Sequence, residues 1–148
     1  MLQIEELKPE NESLWQDYVL TSKKAGLYHA LGWRDAVRRA LGHRPYYLMA
    51  KEDGKIKGIL PLFLVRSLIF GKYLSSVPAA NYCGVCADND SVRYLLINQA
   101  KKLTQELNLG YLELKESQDN NSDLIKETSH VTFIICLDSG PDMVWSRL

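Results

Sequence analysis

A chain of 148 residues, 46% hydrophobic and 24% charged, is the length of one globular domain and can bury a core without metal or disulfide support. Its 18 lysines and arginines balance 18 aspartates and glutamates, which argues against a broad basic groove for nucleic acid. No apolar run approaches the roughly 20 residues that span a bilayer. The N-terminus lacks the basic-then-apolar order of a signal peptide, and three cysteines suit a reducing interior, so a cytoplasmic protein is expected.

In chain order, residues 2–7 predict a short strand. Asn11 is a candidate cap for a first helix in which Leu14, Trp15, Tyr18 and Val19 share a face. After a loop over 21–30, "LGWRDAVRRALG" predicts a second helix. Trp33, Val37, Ala40 and Leu41 would face inward and Arg34 and Arg38 outward, with Gly42 at the C′ position. "RPYYLMAKE" then reads as a strand, Asp53-Gly54 as a two-residue hairpin turn, and "KIKGILPLFLVRS" as the partner strand. "KYLSSVP" reads as a further strand. From about Asp90 to Asn108 one helical stripe runs through Val92, Leu95, Leu96, Gln99, Ala100, Leu103 and Leu107, with Asp88 and Asp90 at its positive end.

"GYLELKES" follows that helix directly, as in a β-α-β unit. "QDNNSDLIKETS" is polar and reads as an exposed loop with a short helix, and "HVTFIICL" as a last strand dense in β-branched residues. Residues 139–148 open a helix, with Ser139 ahead of it, Pro141 near its first position, then Met143, Val144 and Trp145. A helix of about two turns is marginal alone. The expectation is therefore that residues 1–148 form a single domain that begins a longer protein.

This order gives an α/β (α+β) fold: a mixed, mostly antiparallel sheet flanked by helices on both faces. Pro61 interrupts a strongly apolar strand. Having no N–H for a ladder, it marks either a bulge, which would open a slot between strands, or an edge.

Several residues invite a chemical reading. Cys83 and Cys86 have the spacing of half a zinc site or of a redox pair, but two ligands are not four, and buried free thiols are the plain alternative. Cys136, which might complete such a site, lies in the apolar last strand. His29, His43 and His130 are possible bases; His43, just after Gly42, equally suits the negative end of the second helix. No "G-x-S-x-G" accompanies Ser75 and Ser76. Asn81 and Tyr82, in a bend after a strand, could offer donors to a bound amide or sugar, or could serve the turn itself. Glu113 and Lys115 alternate with Leu112 and Leu114 and so share one face of their strand, where they line a groove or pair with each other.

Taken together, Trp33, Gly42-His43, Pro45, Leu60-Pro61-Leu62, Ser76-Val77-Pro78, Asn81-Tyr82 and Tyr111-Leu112-Glu113-Leu114 resemble, in order and spacing, the first half of FemAB-like proteins. These are aminoacyltransferase-like relatives of the GNAT acyltransferases, and the closest flavour is that associated with exopolysaccharide and exosortase systems. The resemblance covers about residues 27–146. It departs at Cys83, where the family pattern has glycine, and at Lys115, where it has arginine.

The resemblance implies a GNAT-like domain that is half of a two-domain protein, inactive without its second half. The implied reaction passes an aminoacyl or acyl group, with aminoacyl-tRNA as a possible donor, to a peptidoglycan or glycan precursor in cell-wall or exopolysaccharide synthesis. It places substrate contacts at Trp33, Arg38, Asn81, Tyr82, Glu113 and Lys115, and names no catalytic residue and no metal. A non-catalytic interaction domain, including a homodimer, is the rival reading. No glycine-rich "Q/R-x-x-G-x-G/A" loop of acetyl-CoA enzymes occurs, and Asp88 and Asp90 would repel a phosphate, so no cofactor is expected.

Overall fold

The computed structural model describes residues 1–116, 123–129, 135, 138 and 140–146. Strand β1 (Gln3–Glu6) is followed by α1 (Glu12–Thr21) and, after a 3-10 turn at Leu27–His29, by α2 (Leu31–Leu41). Six strands come next: β2 (Arg44–Pro45), β3 (Leu48–Glu52), β4 (Lys55–Leu60), β5 (Phe63–Ser67), β6 (Gly71–Ser75) and β7 (Cys86–Ala87). Then come α3 (Asp90–Glu106), β8 (Leu112–Glu113) and α4 (Pro141–Trp145). The last strand expected over "HVTFIICL", with His130 and Cys136, falls outside the described residues except for Ile135, as do residues 118–122 of the polar segment before it.

The strands form two four-membered ladders, β1-β3-β4-β7 and β2-β5-β6-β8. Every pairing is antiparallel except β6 with β8, so β6, α3 and β8 make the expected crossover unit. Asp53 (φ 49°) and Gly54 (φ 77°) close the β3–β4 turn with both central residues left-handed, as a two-residue hairpin demands.

What joins the two ladders is the segment around Pro61. Along one edge the register runs past it unchanged. Arg44 faces Leu64, the Tyr46 N–H donates to the Leu62 carbonyl at 2.7 Å, and Leu48 faces Leu60. Along the other edge, Ile59 faces Cys86 while Phe63 faces Ser75. Three residues (60–62) therefore stand opposite ten (76–85). Antiparallel bonds alternate in direction, so the N–H that proline lacks would point to this second edge. Pro61 is fully buried and lies inside the sheet. Of the two readings the edge is excluded, and the extra length belongs to the neighbouring strand rather than to the one that carries the proline.

Alternation along these strands builds two cores. Leu48, Ala50, Leu60, Leu62, Leu64 and Leu74 meet Val92, Leu96 and Ala100 of α3 on one face. Tyr47, Met49, Ile59 and Phe63 meet Trp15 of α1 and Val37 of α2 on the other. Helices thus cover both faces, as the element order implied.

Some side chains turn differently from the helical stripes. Leu14, Ala40, Leu41 and Leu95 are exposed rather than inward. Arg34, expected outward, is only 15% exposed because its guanidinium bridges Glu12 at 2.7 Å and Asp35 at 3.1 Å, fastening α2 to α1. Asn11 occupies the cap position of α1 without a side-chain bond, whereas Asn89 caps α3 by accepting the Val92 N–H at 3.0 Å.

Candidate functional site

The ten-residue excursion over 76–85 is held at its ends. The Ser76 N–H donates to the Glu113 carbonyl at 3.0 Å and the Cys83 N–H to the Lys115 carbonyl at 2.9 Å. The Ser76 hydroxyl accepts the Lys115 N–H at 2.9 Å, and the Ser75 hydroxyl donates to the Glu113 carboxylate at 2.7 Å. Between these anchors, the Lys115 ammonium reaches in to the Ala80 carbonyl at 3.4 Å and stands 4.0 Å from Glu113. Four of the residues singled out from sequence therefore gather here: Asn81 and Tyr82 on the excursion, Glu113 at the end of β8 and Lys115 just after it.

Trp33 and Arg38 belong to α2 instead. Trp33 packs edge-on to Tyr28 with centroids 4.8 Å apart, and its indole N–H is buried with no partner among the described residues. Arg38 is exposed and lies 4.0 Å from Asp35.

A second set of contacts at 84–85 was not legible in the sequence. His29 Nδ1 accepts the Gly26 N–H at 3.1 Å, so the ring proton resides on Nε2 and is donated to the Gly84 carbonyl at 3.1 Å. Burial holds the imidazole pKa below its ordinary value. His29 is therefore a neutral strut between the α1–α2 loop and the excursion, not a base. His43 is also pushed down by burial, which disfavours the imidazolium expected at the end of α2.

Glu116 occupies the space beside Gly84 that a Cβ there would fill. Its Oε1 accepts the Val85 N–H at 3.0 Å and lies 2.8 Å from the Arg93 guanidinium on α3. Only the glycine of "CGVC" hinted at this close approach.

The junction from the excursion into α3 has much of its donor capacity committed to the chain itself. The N–H groups of Cys83, Val85, Asp88 and Val92 go to Lys115 O, Glu116, Lys57 O and Asn89 in turn. The two thiols are buried and free, and burial pushes both pKa values up. Cys86 lies 3.3 Å from the Ser22 hydroxyl. Among the described residues no group of three or more His, Cys, Asp or Glu could hold a metal. Buried thiols with raised pKa values fit the plain reading of free cysteines; Cys136 and His130, which might complete a zinc site, lie outside the described residues.

At the far end of β7 lies an open cleft of about 470 Å³, lined by Tyr18, Thr21, Ser22, Lys23, Lys24, Ile56, Ala87 and Asp88. The Tyr18 hydroxyl donates to Asp88 Oδ1 at 2.9 Å, and burial together with Asp88 pushes the phenol pKa up. Lys57 stands 4.0 Å from the same carboxylate, and the Lys24 ammonium donates to the Ala87 carbonyl at 2.9 Å. None of the six residues taken from the sequence lines this cleft. Sequence periodicity puts Tyr18 on the inward face of the first helix, and Asp88 stands out only as a charge at the positive end of the long helix.

No family model and no curated protein matches the chain. Solved structures do. The ribosomal-protein-alanine N-acetyltransferase of Brucella melitensis biovar Abortus 2308 aligns with a TM-score of 0.59 at 13% identity, over 90% of this chain and 99% of that one. A GNAT family acetyltransferase of Staphylococcus aureus aligns with a TM-score of 0.56 at 11% identity, over 90% and 98%. The aminoglycoside N-acetyltransferase AAC(6')-Iy in complex with CoA aligns with a TM-score of 0.59 at 13% identity, over 89% and 97%.

This is a GNAT fold. At such identities the likeness carries architecture and not substrate. Within the GNAT fold of this chain, the break in the central sheet, the Glu116 contact and the Asp88 cleft follow one another along 76–88. No helix among the described residues is long and apolar enough to cross a membrane.

Proposed function

We propose that this GNAT-fold chain is an acyltransferase-type domain whose acyl donor is not a CoA thioester. The observation that carries the reading is Glu116. Its carboxylate sits at the junction into α3, taking the Val85 N–H and the Arg93 guanidinium, the groups that would otherwise welcome an anion. Asp90, in the first turn of α3, adds negative charge at the helix end that a pyrophosphate would approach.

The FemAB-like resemblance supplies the finer reading: transfer of an aminoacyl group from aminoacyl-tRNA to an amine of a peptidoglycan or glycan precursor in the cytoplasm. The amine nitrogen attacks the ester carbonyl, the ester C–O bond breaks to free the ribose hydroxyl, and an amide forms as the amine loses its proton. The excursion with Asn81, Tyr82, Glu113 and Lys115 forms one wall of the acyl site, and Trp33 and Arg38 extend it along α2. A second GNAT-like half completes the groove.

The test is an assay with labelled aminoacyl-tRNA and an amine-bearing cell-wall precursor, run on the chain alone and on the chain continued into its downstream reading frame. Label should reach the amine only with the longer protein. Acetyl transfer from acetyl-CoA by the chain alone would sink the reading.

A further inference from the structure

The hairpin between β5 and β6 ends in Leu68, Ile69 and Phe70, which are 107%, 85% and 69% exposed. Three consecutive large apolar side chains at a hairpin tip are a standing cost in water, where a loop is ordinarily polar. Two further features decide what covers them. The tip's own amides are served from within: the Ile69 and Phe70 N–H groups donate to the Ser67 hydroxyl at 3.2 and 3.1 Å. Backbone so satisfied enters an apolar medium at a lower penalty. Directly behind the tip, Arg66 and Lys72 face each other across the ladder, both exposed, and Arg44 stands opposite Leu64 on the same side of the sheet. From Gly54 to Ala87 the chain carries no aspartate or glutamate, so nothing on this hairpin opposes those cations.

We infer that this hairpin docks on an anionic lipid surface, the Leu68-Ile69-Phe70 tip entering the headgroup boundary while Arg66 and Lys72 meet lipid phosphates. An apolar wedge and a basic collar are the two weak signals that together hold a protein to a bilayer without spanning it. Charge complementarity is the reason for choosing lipid over a second copy of the chain, whose equivalent hairpin would bring like charges together. The inference does not rest on the transferase reading, and either can fail alone.

The experiment is co-sedimentation of the full chain with vesicles of phosphatidylcholine alone and of phosphatidylcholine mixed with phosphatidylglycerol. Binding is expected only to the mixed vesicles and should weaken as salt rises. The L68S/I69S/F70S variant, whose positions are exposed and whose circular dichroism should match the parent, is expected to lose at least roughly tenfold in binding. R66E/K72E should lose about as much through charge alone. No binding to the mixed vesicles, or undiminished binding by the tip variant, would overturn the inference. So would a dimer seen by light scattering that the tip substitutions abolish while the vesicles stay unbound, since the occupant would then be a second copy.

Discussion

His29 is nearly out of water and makes both of its ring hydrogen bonds as a neutral imidazole. Burial lowers its pKa from the ordinary 6.5, only partly offset by the Gly84 and Gly26 contacts and by the Glu116 charge. The unfolded chain therefore binds this proton more readily than the native one. Stability from this site is complete above about pH 6.5 and is lost as pH falls toward the lowered native value. His43, also lowered, adds in the same direction. Denaturant titrations between pH 8 and 5 should show a flat upper limb and a decline below about 6.5, with a shallower decline in His29→Gln. A profile rising toward acid would contradict the neutral strut. At this scale, legibility followed sequence distance. Asp53-Gly54 and Gly42 declare themselves because their backbone conformation is local. Arg34 does not, because its partner Glu12 lies 22 residues away on another helix. Glu116 does not, because Gly84, Val85 and Arg93 reach it only through the fold.

Among the elements, the decisive feature is the mismatch of 60–62 against 76–85. Sequence located the anomaly at Pro61, since a proline in an apolar strand has few places to go. It could not say which strand holds the surplus. That depends on pairing partners, and the register of a strand is not written in the strand alone. The crossover from β6 through α3 to β8 was legible from the long helical stripe, although Leu95 falls off the buried face and Ile97 takes a place on it. Hydrogen exchange tests the break. Ile59, Phe63, Ser75 and Cys86 lie in paired strands, whereas the N–H groups of Val77 and of residues 79–82 contribute none of the bonds that anchor the excursion. The amides of 79–82 should exchange at least about a hundredfold faster than those of Ile59 and Phe63. Uniform protection from 75 to 86 would mean an unbroken ladder.

The molecule as a whole is a broken sheet between two helical layers, with the candidate site along the break. Both cores lean on that sheet: Trp15 and Val37 on one side, Val92, Leu96 and Ala100 on the other. Gly58 shows how closely α3 approaches, since a Cβ there would come within 2.7 Å of Val92 Cγ1. Such packing fixes the start of α3 against the sheet, and with it the position of Arg93 and its carboxylate partner. The GNAT fold of this chain thus carries a Glu116–Arg93 ion pair near the start of α3, and on the proposed reading that pair stands where an anion would bind. Calorimetric titration of acetyl-CoA into the purified chain addresses this most directly. The expected result is no saturable heat, since on the proposed reading Glu116 takes the Val85 N–H and Arg93 that an anion would need. Tight one-to-one binding would contradict it and return the chain to acetyl-CoA chemistry.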